Sequence, residues 1–160
     1  MKGIKIESKI KKSWNDFEWN ESYHKIWTLQ EQLVMAYRMG NTYKVEQIQR
    51  KIVTSFEGRA IAVRKVVTNK GGKTPGIDGI IWKDSLKKMQ ALQQLEHIVQ
   101  KPKEYKASPV MRIWIPKPNT DEKRPLGIPT MIDRAAQALY HLALDPIVEE
   151  QSDPLTLFRV

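Results

Sequence analysis

The 160-residue sequence contains no cysteine, and this absence removes several classes of protein at once. Disulfide scaffolds, thiolate zinc sites and cysteine nucleophiles all require a side chain that the chain lacks. The sequence also has no apolar run near the roughly 20 residues of a membrane-spanning helix. Residues 1–14 are basic and lack the apolar stretch of a signal peptide. We therefore expect no membrane association and a reducing, intracellular environment.

The arrangements that self-contained catalysis requires are also missing. His24, His97 and His141 lie far apart in the sequence and lack metal-ligand spacing. No aspartate stands in an apolar strand beside a second aspartate, as two-metal phosphoryl transfer requires. Residues 71–74 (Gly-Gly-Lys-Thr) resemble part of a phosphate-binding loop, but the first glycine of that motif is missing and Pro75 follows. We predict no catalytic residue and no metal site.

Positive charge is in excess over negative charge. The 27 Lys and Arg residues against 18 Asp and Glu give a net charge of +9, and the isoelectric point is near 9.7. A balance of this size favours polyanionic partners at long range. Hydrophobic residues make up 41% and charged residues 28% of the chain, which are ordinary values for a folded domain. A folded protein that binds nucleic acid is the class that these values favour.

Apolar residues recur at helical spacing through the first hundred residues. The spacing predicts a helix over 20–39 that ends at Gly40, and a second from residue 42 that continues helically to residue 68. Whether this helix breaks at Gly58 stays open. Residues 69–79 are dense in Gly and Pro, which predicts an irregular loop. A further helix is expected from Asp84 or Ser85 to Pro102, with an apolar face of Leu86, Met89, Leu92, Leu95 and Val99.

After Ser108 the pattern changes to a period of two. Residues 110–116 and 124–128 are predicted to form an antiparallel hairpin around a turn at 118–123. Thr130 is expected to cap a last helix, and Asp145-Pro146 to interrupt it. The predicted fold class is therefore α+β, with a mostly helical N-terminal domain followed by a β-hairpin and a helix.

Two groups of basic residues are candidate binding sites. The first runs from a helix into the loop without a carboxylate, and consists of Arg59, Arg64, Lys65, Lys70 and Lys73. The second surrounds the hairpin, with Tyr105 and Trp114 interleaved, and consists of Lys101, Lys103, Lys106, Arg112, Lys117, Lys123 and Arg124. A guanidinium beside an aromatic ring suits both phosphate contact and base stacking. A solvated helix face and a cross-strand packing ladder remain the alternative interpretations.

A long sequence pattern runs through the hairpin and the last helix. It comprises residues 112–117 (Arg-Ile-Trp-Ile-Pro-Lys), 123–130 (Lys-Arg-Pro-Leu-Gly-Ile-Pro-Thr) and 133–137 (Asp-Arg-Ala-Ala-Gln). This pattern resembles the opening fingers motif of group II intron-encoded reverse transcriptases. Residues 62–82 and Trp19 with its tandem helices are similar to the N-terminal domain of that family. The resemblance covers nearly the whole chain.

The resemblance implies a division of the chain into three segments. These are a basic lead-in over 1–12, a helical N-terminal domain over 13–98, and the beginning of the fingers over 99–160, truncated before the palm. Residues 152–160 depart from the family's pattern, and the palm aspartates are absent from the sequence. We therefore expect the chain to be inactive as a polymerase by itself. It should hold no cofactor, whereas the full-length family uses Mg²⁺.

The resemblance also implies roles for the two basic groups. The family's fingers lysine and arginine face the phosphates of the incoming nucleotide, which implies Lys117 and Arg124 here, with Arg112 nearby. The family's N-terminal segment binds intron RNA, which implies RNA contacts at the first basic group; we assign RNA binding also to Lys101, Lys103 and Lys106.

Group II intron RNA is thus the expected partner. Two alternatives stay open: a polymerase portion completed in trans by a palm-containing chain, and a decayed reading frame without function. The expected location is the cytoplasm of a bacterium or the interior of an organelle.

Overall fold

The computed structural model describes residues 13–152 of the protein. The predicted lead-in over 1–12 and residues 153–160 lie outside the described residues. Short 3₁₀ turns occur at Trp14–Asp16 and Lys70–Lys73. The helices and strands are α1 (Trp19–Arg38), α2 (Thr42–Thr54), α3 (Phe56–Thr68), α4 (Ser85–Gln100), β1 (Met111–Pro116), β2 (Lys123–Ile128) and α5 (Met131–Gln151). The predicted α+β class is confirmed, because a helical N-terminal region precedes a hairpin and a helix.

Capping residues set the boundaries of the first helices. Gly40 follows α1 with φ +67°, a conformation that glycine adopts without steric cost. The Asn41 side chain then accepts a hydrogen bond from the backbone N–H of Lys44 and begins α2. The break between α2 and α3 lies at Ser55, whose hydroxyl accepts from the N–H of Gly58 at 3.0 Å. Gly58 is therefore inside the first turn of α3, so the helix breaks before it.

The hydrophobic core lies where α1, α2, α3 and α5 meet, with α4 packed against α3 and α5. Its largest fully buried apolar side chains are Leu33, Ile52, Val63, Leu95, Met131 and Leu139. Burying one such side chain contributes about 1.5 to 3 kcal/mol. The core is therefore the main source of stability in the described chain.

The predicted apolar face of α4 is wrong at its first position. Leu86 is 68% exposed, whereas Leu95 is fully buried. Leu86 precedes Leu95 by nine residues, which is two and a half helical turns, so the two side chains point to opposite sides. Apolar residues repeated every three positions do not stay on one face, because an α-helix has 3.6 residues per turn. The buried face consists of Ala91, Leu92, Leu95 and Ile98.

The predicted interruption at Asp145-Pro146 is also wrong, because α5 continues to Gln151. A proline has no N–H and cannot donate to the carbonyl four residues earlier, here Leu142. Gln30 of α1 replaces that donor, since its Nε2 lies 2.8 Å from the Leu142 oxygen. Gln49 of α2 donates to the next carbonyl of α5 at 3.0 Å. Two neighbouring helices thus satisfy the carbonyls at the proline.

The predicted hairpin is confirmed, with β1 and β2 antiparallel. Met111 pairs with Ile128 at its base, and Pro116 pairs with Lys123 at its far end. Since side chains alternate along each strand, two faces result. One face carries Arg112, Trp114 and Lys123; the other carries Met111, Ile113, Ile115, Arg124, Leu126 and Ile128. No residue of either strand is buried in the described structure, so the hairpin projects from the helical body.

Candidate nucleic-acid interface

Three lysines of the first basic group are exposed on α3 and the loop that follows it. Lys65 lies in the last turn of α3, and Lys70 and Lys73 lie in the 3₁₀ turn at residues 70–73. This turn corrects the prediction that residues 69–79 contain no regular structure. No aspartate or glutamate occurs between Arg59 and Lys73. Their own segment therefore contains no carboxylate that could pair with the three exposed ammonium groups.

Arg59 is buried, which corrects its predicted role as an RNA contact. It is 7% exposed, and its Nη1 donates to the Thr54 carbonyl oxygen at 3.0 Å. Its Nη2 lies 3.5 Å from the carboxylate of Glu96 on α4. A guanidinium in these contacts joins α3 to α4 and cannot reach a ligand in solvent. Charge spacing in the sequence does not reveal this, because Arg59 faces inward from the first turn of α3.

Arg64 lies on aromatic rings of α1. Its guanidinium carbon is 4.3 Å from the ring centroid of Trp19 and 5.6 Å from that of Tyr23. A cation over a ring face is attracted by the ring quadrupole, and a stacked guanidinium keeps in-plane N–H groups for phosphate oxygens. The sequence predicted an RNA contact at Arg64. It did not show the aromatic partners of this residue, which lie on α1 more than 40 residues earlier.

Arg134 holds the loop at residues 69–79, called the basic loop, in place, a role that the sequence did not indicate. Its Nη1 donates to the Gly71 oxygen at 2.8 Å and its Nη2 to the Thr74 oxygen at 2.6 Å. Its Nε donates to the Pro129 oxygen at 3.1 Å, at the start of α5. Burial lowers the pKa of Arg134, while the nearby charge of Asp78 raises it. The sequence signal for this role is the Asp133-Arg134 pair near the start of α5, which in the sequence serves only as part of the motif at residues 133–137.

The loop also passes very close to the corner between β2 and α5. A Cβ atom on Gly76 would lie 2.6 Å from the Cα of Thr130, so only glycine fits without a backbone shift. Together with Arg134, this approach fixes the loop against the first turn of α5. Lys70 and Lys73 are therefore presented from a positioned segment.

Asp133 joins both ends of the hairpin to α5. It is 4% exposed, and its carboxylate accepts from the Thr130 hydroxyl at 2.5 Å and the Ser108 N–H at 3.2 Å. The Tyr105 hydroxyl donates to the other carboxylate oxygen. Burial and then the hydrogen bond and charge of Asp133 raise the pKa of Tyr105. The Thr130 cap confirms the predicted start of the last helix, but the contacts of Asp133 to Tyr105 and Ser108 were not foreseen.

The cations of the hairpin are divided between its two faces. Lys117 lies opposite Glu122 just beyond the strands, and its Nζ is 2.6 Å from the Glu122 carboxylate. The alternation places Lys117 and Arg124 on one face and Arg112 on the other, beside Trp114. The structure therefore brings two of the three predicted phosphate contacts together, and separates the third.

The three lysines before the hairpin are all exposed. Lys101 lies 3.4 Å from the carboxylate of Glu104, in a pair that is more than half exposed on both sides. An exposed pair of this kind contributes little to stability. Lys103 and Lys106 are exposed in the connector between α4 and β1. These side chains are accessible but belong to a segment without helix or strand.

Two further findings concern the described residues alone. Within residues 13–152, no group of three or more His, Asp or Glu side chains lies close enough to hold a metal ion. The same part of the chain contains no helix that is long and apolar enough to cross a membrane.

Comparison with known proteins assigns the helical region to a family. The family model for the N-terminal domain of reverse transcriptase matches residues 14–95. Protein YkfC of Escherichia coli (strain K12) is 34% identical over 116 residues, or 69% of this chain and 29% of that protein. Group II intron-encoded protein LtrA of Lactococcus lactis subsp. cremoris is 33% identical over 91 residues, or 56% of this chain and 14% of that protein.

The chain thus spans less than a third of the length of these relatives. The matched region contains α1, α2, α3, the basic loop and most of α4. The family model covers more than half of the chain, and the relatives include a group II intron-encoded protein. The chain therefore belongs to the reverse transcriptase family whose N-terminal domain the family model describes, and a group II intron-encoded protein is among its relatives.

Proposed function

We propose that this chain is an RNA-binding module that takes group II intron RNA on the surface formed by α3 and the basic loop. Its phosphate contacts are Arg64, Lys65, Lys70 and Lys73. The observation that carries the proposal is an exposed, acid-free run of cations held in position by Arg134. Fixed cations on a rigid segment bind phosphates with little loss of conformational freedom.

A role in splicing fits a module of this kind. A protein that helps an intron RNA fold must prefer the folded RNA over other RNA of the same charge. Non-specific contacts to phosphates fall steeply with salt, whereas contacts to shape and bases do not. We therefore place maturase-type activity on the same surface, with intron RNA as the partner.

The hairpin supplies a second set of phosphate contacts in this proposal. Within residues 13–152, the Arg112 and Arg124 side chains form no hydrogen bond or ion pair. Lys117 is paired with Glu122 in an exposed bridge, which a phosphate can displace at small cost. In the family's polymerases these residues would face an incoming nucleotide, and in this proposal they also contact RNA phosphates.

The test is a salt series of binding titrations with a structured group II intron RNA and an unrelated RNA of equal length. The wild-type chain should retain a preference for the intron RNA at moderate salt. Charge reversal at Lys65, Lys70 and Lys73 should reduce the slope of log affinity against log salt by about 0.7 to 0.9 for each phosphate that is no longer neutralised. Reversal at Arg112 and Arg124 should reduce it by a smaller amount.

The matched control reverses Lys44, Arg50 and Lys51, three exposed cations of α2 on a different helix. The control changes the net charge by the same amount, so any difference between the two triple variants comes from the position of the reversed charges. Equal slopes for the two triple variants would contradict the assignment to α3 and the loop. Equal affinity of the wild-type chain for both RNAs, erased by salt, would contradict maturase-type recognition.

A further inference from the structure

Two clefts lie about one helical turn apart along α3 and α5, and together they are called the groove. The first cleft, which also contacts α1, is apolar and aromatic. This cleft has a volume of about 410 Å³. Tyr23 and Trp27 form its wall on α1, Ile61 of α3 its floor, and Leu142 of α5 the opposite wall. Almost all of the cleft surface is carbon, so a ligand there must offer an apolar face.

The two rings of this cleft are left in contact with water. Tyr23 is 45% exposed and Trp27 is 55% exposed, and the ring of His24 lies 6.2 Å from that of Trp27. Single exposed aromatics are common on protein surfaces. Here, however, rings one helical turn apart converge on one concave site, an arrangement typical of a binding site for a flat ligand.

The other end of the groove is polar and cationic. A second cleft of about 300 Å³ lies between α3 and α5, with Lys65, Asn69, Gln137 and His141 around it. Lys65 is four residues after Ile61 on α3, which places the two about 6 Å apart along the helix axis. Asp145 lies 3.4 Å from His141, which lines this cleft. Arg64, stacked on Tyr23, adds a cation at the aromatic end.

We propose that this groove binds an unpaired stretch of RNA, with one base stacked on Tyr23 and Trp27 and its backbone phosphate beside Arg64 and Lys65. The inference rests on the proposed RNA-binding function and adds to it a recognition mode by stacking. Every base has a π face, and its phosphate is an anion at a fixed short distance. An aromatic cleft next to acid-free cations matches both groups of one nucleotide.

A paired helix does not satisfy the same groove. In a duplex the bases are stacked on each other, and their faces are not available to Tyr23 and Trp27. A purely apolar ligand would use the aromatic cleft but leave the cationic end without a partner. The charge and the shape of the groove together select single-stranded nucleic acid.

The experiment uses fluorescence anisotropy with a ten-nucleotide single-stranded RNA and a second oligonucleotide of equal length whose central riboses carry no base. Both carry the same number of phosphates. The wild-type chain should bind the base-bearing RNA more tightly. Trp27→Ala should weaken that binding by about tenfold and leave binding of the base-free oligonucleotide unchanged. The salt slope should not change, because no phosphate contact is removed.

Three variants control for structure and for surface aromatics in general. Trp27→Phe keeps a stacking ring and should retain most of the affinity. Trp27→Leu keeps apolar volume without a ring and should behave as Trp27→Ala does. Tyr43→Ala removes a 70% exposed ring on α2 and should change neither affinity. Circular dichroism of each variant checks that it is folded. We expect the Trp27 variants to fold, because this side chain is largely exposed.

The outcomes separate this inference from the function on which it rests. Equal wild-type affinity for the two oligonucleotides would overturn the stacking groove and leave RNA binding by the basic surface intact. Full affinity in folded Trp27→Leu would overturn it as well. Absence of binding to these oligonucleotides and to structured intron RNA would overturn the proposed function itself.

Discussion

The helical body and the β-hairpin place their apolar side chains in opposite environments. In the body, Leu33, Ile52 and Leu139 are fully buried. In the hairpin, Ile113 is 37%, Leu126 is 43% and Trp114 is 59% exposed. Both regions carry apolar residues at regular spacing, yet only the body covers them. The spacing of apolar residues therefore identifies a helix or a strand, but it does not show whether the rest of the protein covers its apolar face.

The two regions are consequently held by different interactions. The body is stabilised by side-chain burial, whereas the hairpin depends on its backbone ladder and on its connection to Asp133 at both ends. An isolated two-stranded hairpin is marginally stable in water. We expect the hairpin to open at a lower free energy than the body unfolds, which native-state hydrogen exchange would detect.

The strongest test of this comparison truncates one apolar side chain in each region. Leu139→Ala should lower the free energy of unfolding by about 2 to 5 kcal/mol, because it leaves a cavity in a packed core. Ile113→Ala should lower it by less than about 1 kcal/mol, because the side chain is already in contact with water. Urea denaturation of both variants gives the values. Comparable losses would show that the hairpin is covered in solution, contrary to the structure.

A smaller effect is expected at the connection between the two regions. Asp133→Ala removes the acceptor of the Tyr105 and Ser108 hydrogen bonds and should cost about 1 to 3 kcal/mol. Hydrogen exchange should accelerate most in β1 and β2. Asp121→Ala, in the exposed turn of the hairpin, is the matched control. Unchanged exchange in the strands of Asp133→Ala would show that the hairpin holds its position without this carboxylate.

The smallest effect concerns Tyr105, whose contribution should depend on pH. Its pKa is raised above 10.0 by burial and by Asp133, so folding favours the protonated hydroxyl. Below pH 10 the hydroxyl is protonated in both states and its contribution is complete; at higher pH the unfolded state releases the proton first and stability falls. Tyr105→Phe should cost about 1 kcal/mol at pH 7 and less above pH 10.

Paired denaturation curves at pH 7 and pH 10.5 measure this difference. Tyr43→Phe serves as the control, since that side chain is exposed on α2. A cost of Tyr105→Phe that stays constant across this range would contradict the raised pKa. A cost that grows with pH would mean that folding lowers the pKa of Tyr105 instead of raising it.

Much of the fold could be predicted because local patterns determined it. The spacing of Ile26, Leu29 and Leu33 fixed α1, and the change to a period of two after Ser108 fixed the hairpin. The Thr130 cap of α5 lies where the sequence suggested. These features depend on a few neighbouring residues, so the sequence shows them directly.

The features that could not be predicted depend on contacts between distant segments. Arg59 has the charge of an RNA contact, but only the position of α4 shows that it is buried. Arg134 reaches back to Gly71, 63 residues earlier in the chain. The RNA roles of Lys65, Lys70 and Lys73 stay predictions, since exposure shows only that a ligand could reach them.

The hydrogen bond from Gln30 to Leu142 also couples two positions that are far apart in the sequence, residues 30 and 146. Gln30 is needed because Pro146 leaves the Leu142 carbonyl without its helical donor. A residue with an N–H at position 146 would restore that donor, and the Gln30 side chain would then contribute less to stability. We therefore expect the effects of substitutions at these two sites on stability to be non-additive.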